Sequence, residues 1–435
     1  MIVIVGSGIS GLAAAWALDR AGEDFLLLEA DTRPGGVIST GREDGFVYEG
    51  GPDSFLATKP AAVELCQELG LTEELIGAQP QPGGPRLLYQ GRMLPLPAGW
   101  RMLAPTRLAP LLRSPLLSPA TKTAVALHWS RAPVAPEATE TAAAYLERRF
   151  GARAGRELAR TIVQPLAAGV YGGAADQLSA AALQPRARRG AGGPVFLTLR
   201  GGMEGMVAAL TQRLRARVRT RSRVARLLRR DSGYLLALEG GEIVAAEGVI
   251  VALPAWQAAD LLQELDLALA STLAEIPYAS SVNANLAFRT APALPAGHGF
   301  LVAGGETTGQ IPALLACTFA HQKFAGRAPA GGALLRLFYG ESATTLSDEG
   351  ILARARADLH RTLGVAQEPD FVRLRRAPRA MPQYTVGHAE RLRRIAAALV
   401  RYPRLALAGN AFEGVGVPDC IASGRSAATG VLRTR

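Results

Sequence analysis

The sequence predicts an α/β fold, and three observations carry that expectation. Ile2-Val3-Ile4-Val5 runs directly into Gly6-Ser7-Gly8-Ile9-Ser10-Gly11 and a helical stretch from Leu12 to Ala21. Near the other end a strand over 405–409 meets a glycine-rich loop and a helix from about 417. The 435 residues also exceed what one small core holds, at roughly 100–200 residues per domain.

The first 70 residues read as strand, glycine turn, helix, strand, then a loop and another helix, the opening of a βαβ unit. From about 80 to 195 the texture changes, with proline-rich connections (Pro80, Pro85, Pro95, Pro97) and helical stretches near 139–150 and 153–168. A helix is expected at 204–215. Short strands follow over 218–253 as a small β-meander, with Gly233 and Gly240-Gly241 as turn signals. A mixed α/β stretch occupies 257–387. The expected division is therefore 1–80, 196–256 and 388–435 as three pieces of one nucleotide-binding domain. A mostly helical, membrane-proximal insertion over 81–195 and a substrate domain over 257–387 interrupt it.

Hydrophobic residues make up 49% of the chain and charged ones 20%, a globular balance. No apolar run approaches the ~20 residues of a spanning helix. Met1 leads straight into a strand, so no secretory leader is expected, and the cytosol is the expected compartment. Cys66, Cys317 and Cys420 are far apart, without metal-ligand spacing, and read as reduced thiols. The net charge of +11 comes almost wholly from arginine, since Lys occurs only at 59, 122 and 323. The densest basic run, Arg213 to Arg230, lacks interleaved aromatics for stacking bases, which argues against nucleic acid. Positive charge still favours acidic small molecules or an anionic membrane surface. Gly99 to Ser118 places Leu103, Leu108, Leu111, Leu112, Leu116 and Leu117 among Arg101, Arg107 and Arg113. That pattern suits either a surface dipping into a bilayer interface or an amphipathic core segment broken by prolines.

The chemistry begins at the first glycine turn. Gly6 permits the turn, Gly8 lets the backbone approach a pyrophosphate, and Gly11 lets helix and strand pack closely. Phe25-Leu26-Leu27-Leu28 forms a second strand ending at Glu29, where an acid that accepts ribose hydroxyls belongs. These features alone fit NAD and FAD equally. Arg33-Pro34-Gly35-Gly36-Val37-Ile38-Ser39-Thr40 and Tyr48-Glu49-Gly50-Gly51-Pro52-Asp53-Ser54-Phe55 follow. Paired glycines after the ribose acid bring N–H groups back over a longer cofactor. This extension resembles that of the glutathione-reductase-like flavoproteins, which include amine oxidases, phytoene desaturases and porphyrinogen oxidases. Val37 directly after the glycines, where many amine oxidases carry Arg, is similar to the porphyrinogen oxidase branch.

Four further segments resemble that branch. They are Pro165-Leu166-Ala167-Ala168-Gly169-Val170-Tyr171-Gly172-Gly173 with Leu178-Ser179, Gly201-Gly202-Met203, and Met381-Pro382-Gln383-Tyr384-Thr385-Val386-Gly387-His388. The fourth is Ala408-Gly409-Asn410 through Gly414-Val415-Gly416-Val417-Pro418-Asp419-Cys420 to Gly424. Across essentially its whole length, in order, the chain is similar to FAD-dependent protoporphyrinogen or coproporphyrinogen oxidases of haem biosynthesis. Ala377 departs from the pattern, standing where many bacterial relatives have an aromatic residue near the flavin.

The resemblance implies a non-covalent FAD held by Gly6, Ser7, Gly8, Ile9, Ser10 and Gly11. It adds Glu29, Ala30, Gly36, Val37, Gly51, Pro52, Asp53, Ser54, Val224, Val415, Gly416 and Val417. N–H groups at the start of the 417 helix would stabilise negative charge on reduced flavin. It further implies that Arg86 meets a propionate and that Leu166, Gly169 and Leu301 sandwich the tetrapyrrole. No protein side chain is expected as a catalytic acid or base, and His128 and His388 are expected to be structural. The flavin would take a hydride from a meso carbon, and oxygen would reoxidise it to give hydrogen peroxide, over three rounds. Partners implied are a porphyrinogen, oxygen, a membrane surface, neighbouring haem-pathway enzymes and a second copy of the chain. The rival expectations are an amine oxidase or carotenoid desaturase, and a flavin- and porphyrin-binding carrier without turnover.

Overall fold

Ile2–Val5 is fully apolar because both faces of its strand are covered. In the computed structural model, which describes residues 1–81, 84–129, 134–184, 193–231, 233–304 and 314–433, it is the central strand of a five-stranded sheet. The order is Val218–Arg219, Phe25–Leu28, Ile2–Val5, Gly248–Val251 and Leu405–Leu407, and all pairings are parallel. Side chains alternate along each strand. Ile2, Ile4, Leu27 and Ile250 pack with helices Ile9–Arg20, Glu204–Leu214 and Val417–Arg433. Val3, Val5, Leu28, Val249 and Val251 face a three-stranded antiparallel meander and helices Ala255–Leu262 and Leu267–Ala274.

The meander consists of Val224–Arg230, Gly233–Leu238 and Ile243–Ala246. It is shorter than the expected 218–253. Residues 218–219 and 248–251 join the parallel sheet instead, where Gly248–Val251 is buried throughout. The last strand ends at Leu407 rather than at 409.

A second sheet of seven strands runs in the order Phe371–Pro382, Tyr278–Phe288, Ala333–Tyr339, Leu314–Phe319, Gly299–Val302, Arg86–Tyr89, Arg92–Pro95. Helix Asp348–Leu363 covers one face, meeting Val282, Ala284, Leu286 and Phe288. The expected boundary at 81 is corrected here. Residues 86–95, assigned to the helical stretch, form two strands of this sheet, joined through the parallel pairing of Leu87 with Leu301.

The helical layer contains Leu108–Arg113, Pro119–Trp129, Ala142–Phe150, Ala152–Leu158 and Gln164–Tyr171. Thr141 caps the third of these by accepting the Ala144 N–H at 3.2 Å. Residues 159–163 form a π-helical turn just before Gln164. Of the six leucines in 99–118, Leu103, Leu111, Leu116 and Leu117 are buried and Leu108 is partly buried in this layer. The core alternative accounts for them, and Leu112 alone of the six is exposed. No helix among the described residues is long and apolar enough to cross a membrane.

Candidate functional site

The carboxyl ends of the parallel strands bring together the glycine-rich segments, the place where ligands bind in such sheets. Gly6 adopts φ +97°, and a Cβ there would lie 2.6 Å from the Ala252 carbonyl oxygen. Its N–H donates to the Leu28 carbonyl at 2.8 Å. A Cβ on Gly11 would overlap the Gly6 carbonyl, and one on Gly424 would overlap that of Ser10. Helices 9–20 and 417–433 therefore touch backbone to backbone.

Gly8 begins the first helix, and no side chain caps it. A Cβ on Gly8 would meet nothing within 4 Å, so its outer side is open. Gly36, at φ +57°, closes in from another segment, with its Cβ position 3.3 Å from the Gly8 Cα. Gly35 N–H donates to the Ser7 carbonyl at 2.9 Å. A Cβ on Gly51 would overlap the Val37 carbonyl, while Val37 itself is half exposed. The three segments form one continuous cradle.

Glu29 ends its strand beside that cradle. Ser7 N–H donates to its Oε2 at 2.9 Å, the Ser7 hydroxyl also bonds it, and Asp31 N–H donates to Oε1 at 2.8 Å. Oε2 already accepts twice, and Oε1 keeps a further lone pair for an outside donor. The Ser222 N–H donates to the Glu29 carbonyl at 2.7 Å. Between Ala30, Ser222, Arg223 and Glu239 lies a cleft of about 250 Å³, and Val224 follows Arg223 into the meander. These residues fit a dinucleotide: uncapped N–H groups and an open Gly8 for phosphates, a carboxylate for a ribose hydroxyl, and a cleft beyond it.

Residues 414–417 lie at the start of helix Val417–Arg433. There the Gly416 N–H donates to Asp419 Oδ2 at 3.1 Å, half of a capping box. Lys59 Nζ donates to Asp419 at 2.6 and 2.8 Å. An N–H expected to face a ligand is thus already taken by an acid that carries its own lysine. Neither Lys59 nor Asp419 was singled out from the sequence.

On the other side, Leu166 and Gly169 of the helix and Leu301 of the sheet come together. A Cβ on Gly169 would lie 2.9 Å from Leu301 Cδ2, and Leu166 and Leu301 pack against one apolar cluster. Arg86 is on the neighbouring strand but alternates away. It pairs with Phe300, while Leu87 pairs with Leu301. Arg86 opens its strand, half-buried, and no hydrogen bond or ion pair holds its side chain among the described residues.

A charged group behind Gly50–Ser54, buried at Glu49, Arg327 and Arg336 and partly buried at Asp53 and Lys323, was missed apart from Asp53. It comprises Glu49, Asp53, Lys323, Arg327 and Arg336. Lys323 Nζ lies 2.9 Å from Asp53 and 3.2 Å from the Ser54 hydroxyl. Arg327 lies 3.6 Å from Glu49, both nearly inaccessible. Burial pushes the Glu49 carboxyl above its ordinary range, against Thr40, the Met203 N–H and two arginines. Burial acts the same way on Asp53, but Lys323 and Arg336 outweigh it and hold that carboxyl well below its ordinary range. The detectable signal was one arginine inside the apolar run Ala333-Leu334-Leu335-Arg336-Leu337-Phe338-Tyr339.

His388 is buried and stacks on Tyr384 at 4.2 Å, and Tyr384 donates to the Asn410 carbonyl at 2.6 Å. His128 Nδ1 lies 2.7 Å from the Ala124 carbonyl of its own helix. All three cysteines are buried, and burial pushes the Cys66 thiol up to about 12. Among the described residues no group of His, Cys, Asp and Glu could hold a metal ion.

The chain is 33% identical to a coproporphyrinogen III oxidase of Propionibacterium freudenreichii, over 99% of this chain and 90% of that protein. It is 31% identical to a coproporphyrinogen III oxidase of Bacillus subtilis, over 99% and 97%. A crystal structure from Exiguobacterium sp. 255-15, assigned as a protoporphyrinogen oxidase, superposes with TM-score 0.86 and 32% identity, over 100% of this chain and 99% of that one. With the model of the flavin containing amine oxidoreductase family matching residues 9–432, the chain belongs to that family.

Proposed function

We propose that this chain is an FAD-dependent porphyrinogen oxidase of haem biosynthesis, with coproporphyrinogen III as its substrate. One observation carries the reading: the glycine cradle beside Glu29 shares a molecule with an apolar wall of Leu166, Gly169 and Leu301. The names of the two bacterial relatives support the substrate. Bound flavin supplies the hydride acceptor and passes electrons on to oxygen.

The chain's own residues bind and orient. Glu29 accepts a ribose hydroxyl, with its orientation fixed by Ser7 and Asp31. Uncapped N–H groups at the start of helix Ile9–Arg20 face the pyrophosphate. No backbone acceptor among the described residues takes the N–H of Gly51, Asp53 or Ser54, and these donors suit the far part of the cofactor. Gly169 carries no side chain and Leu301 packs directly over it, so Leu301 must swing aside for a planar macrocycle to enter between Leu166 and Leu301. Arg86, at the strand start and without a side-chain partner among the described residues, is the propionate contact. A wall without titratable groups fits a reaction whose acceptor is the cofactor. The pieces 1–80, 196–256 and 388–435 form the cofactor domain in this proposal, and the seven-stranded sheet with its helical layer forms the substrate side.

Anaerobic mixing of the yellow protein with coproporphyrinogen III and, separately, protoporphyrinogen IX tests the proposal. Flavin bleaching with a larger specificity constant for coproporphyrinogen is expected. Binding without bleaching would make the protein a carrier, and bleaching by amines alone would make it an amine oxidase.

A further inference from the structure

The loop through Gly50 and Gly51 is gripped from behind by the antiparallel sheet. Three consecutive carbonyls each accept from a different side chain. Asn285 Nδ2 donates to Glu49 O at 3.2 Å, Asn283 Nδ2 to Gly50 O at 3.3 Å, and Arg336 Nη2 to Gly51 O at 2.6 Å. Asn283 and Asn285 alternate onto one face of strand Tyr278–Phe288, and Arg336 stands opposite Asn285 on the next strand. The sheet thereby fixes the carbonyl side of the loop.

The charges behind that loop do not balance. Asp53 pairs with Lys323 and Glu49 with Arg327. Arg336 is the third cation. It is 4% exposed, its Nε has no hydrogen-bond partner, and its guanidinium lies over the Phe338 ring at 4.6 Å. Among the described residues no carboxylate lies within ion-pair reach of it, and Asp53 and Glu49, which act on it from further off, each have a nearer cation of their own. A guanidinium buried this way is costly unless an anion is supplied. The other expected source of positive potential, the start of helix Val417–Arg433, has its Gly416 N–H occupied by Asp419.

We infer that Arg336 is a positioning residue that holds the 50–54 loop and stabilises the negative charge that reduction places on the flavin. Arg336 has this role only if that loop carries the flavin, as proposed above. Each hydride delivers two electrons and one proton to the ring, which gains one negative charge. The matching proton leaves the substrate for solvent, and no atom passes through Arg336.

The test uses the full-length holoprotein and reads the two-electron reduction equilibrium of the flavin against a reference dye, without substrate. Arg336→Gln keeps a donor for the Gly51 carbonyl and removes the charge. It should make reduction at least tenfold less favourable, about 30 mV for two electrons. Arg336→Lys keeps the charge and should stay within about threefold of wild type. Asn283→Ala removes one grip without changing charge. It should weaken FAD binding and leave the reduction equilibrium of the bound flavin within about threefold. A yellow Arg336→Gln protein with the wild-type equilibrium overturns the inference alone, as does a Lys variant no better than Gln. Wild-type protein that binds no flavin overturns the cofactor reading and this inference together. If Arg336→Gln yields no folded holoprotein, the Lys and Asn283→Ala variants decide: a large shift in the Ala variant, or in Lys, refutes it.

Discussion

Replacing Glu29 with alanine removes a carboxylate that accepts three hydrogen bonds already and keeps one lone pair, on Oε1, for a ribose hydroxyl. Its present partners are the Ser7 N–H at 2.9 Å, the Ser7 hydroxyl and the Asp31 N–H at 2.8 Å. Ser7 is fully buried, so its N–H is left without an acceptor, at a cost of about 1–3 kcal/mol to the apoprotein. Loss of the charge-assisted bond to ribose adds a binding defect of about 1.5–3 kcal/mol. One bond lost corresponds to roughly tenfold to 150-fold weaker FAD. Glu29→Gln keeps one acceptor oxygen and the shape, and it should lose about tenfold at most. The assay is FAD titration of apoprotein by flavin fluorescence quenching, alongside thermal unfolding of the same apoproteins. An alanine variant with wild-type FAD affinity refutes the ribose assignment. If only the apoprotein melting temperature changes, Glu29 is a brace for the glycine turn and nothing more.

Lys323→Met should destabilise the fold by about 1–3 kcal/mol at pH 7, because Asp53 loses its nearest partner while staying largely out of solvent. Asp53 sits well below its ordinary value near 3.8. Its stabilising contribution is therefore present above that value and lost as pH falls toward the folded-state one. The difference between the melting curves of wild type and variant should hold constant from pH 7 to about pH 4 and shrink only below that, and a difference that does not shrink in acid below about pH 4 would refute the assignment. Gly169→Leu puts a side chain against Leu301 Cδ2 and should lower kcat/KM for the porphyrinogen at least tenfold with FAD affinity unchanged. Unchanged steady-state kinetics would show that the macrocycle lies elsewhere. Arg86→Ala should raise KM about tenfold with little effect on kcat, and Arg86→Lys should recover part of it. An alanine variant with the wild-type KM would make Arg86 a solvated arginine. Acid precipitation should leave the flavin in the supernatant, and flavin in the pellet would contradict non-covalent binding.

What the sequence made legible was local. Gly11 is dictated by its close approach to Gly6 and Gly6 by its own positive φ, and the apolar runs at 2–5 and 25–28 mark buried parallel strands at once. The pairing of Arg86–Tyr89 with Gly299–Val302 joins segments far apart, and two short strands with ordinary composition give no sign of their partner. The leucines of 99–118 illustrate the same limit. A pattern of leucine and arginine is compatible with a lipid surface or a core, and only the helices packed over Leu111 and Leu116 decide between them. The π-helical turn at 159–163 leaves no compositional mark at all. Arg336 was visible as an anomaly, since a charged residue in the middle of an apolar strand must meet something polar. Its partner, the Gly51 carbonyl, was not deducible from spacing.

The parallel sheet sets the order in which this chain can mature. Its central strand, Ile2–Val5, is synthesised well before the edge strand Leu405–Leu407 and the helix laid across Ile9–Arg20. Until then the faces of Leu12, Ala13 and Ile421 lack their mutual cover. Contacts of such long sequence separation close slowly and leave apolar surface open to aggregation in the interval. Loss of the helix Val417–Arg433 would leave a nascent protein that keeps its first βαβ unit but exposes the helix face meant to be sealed.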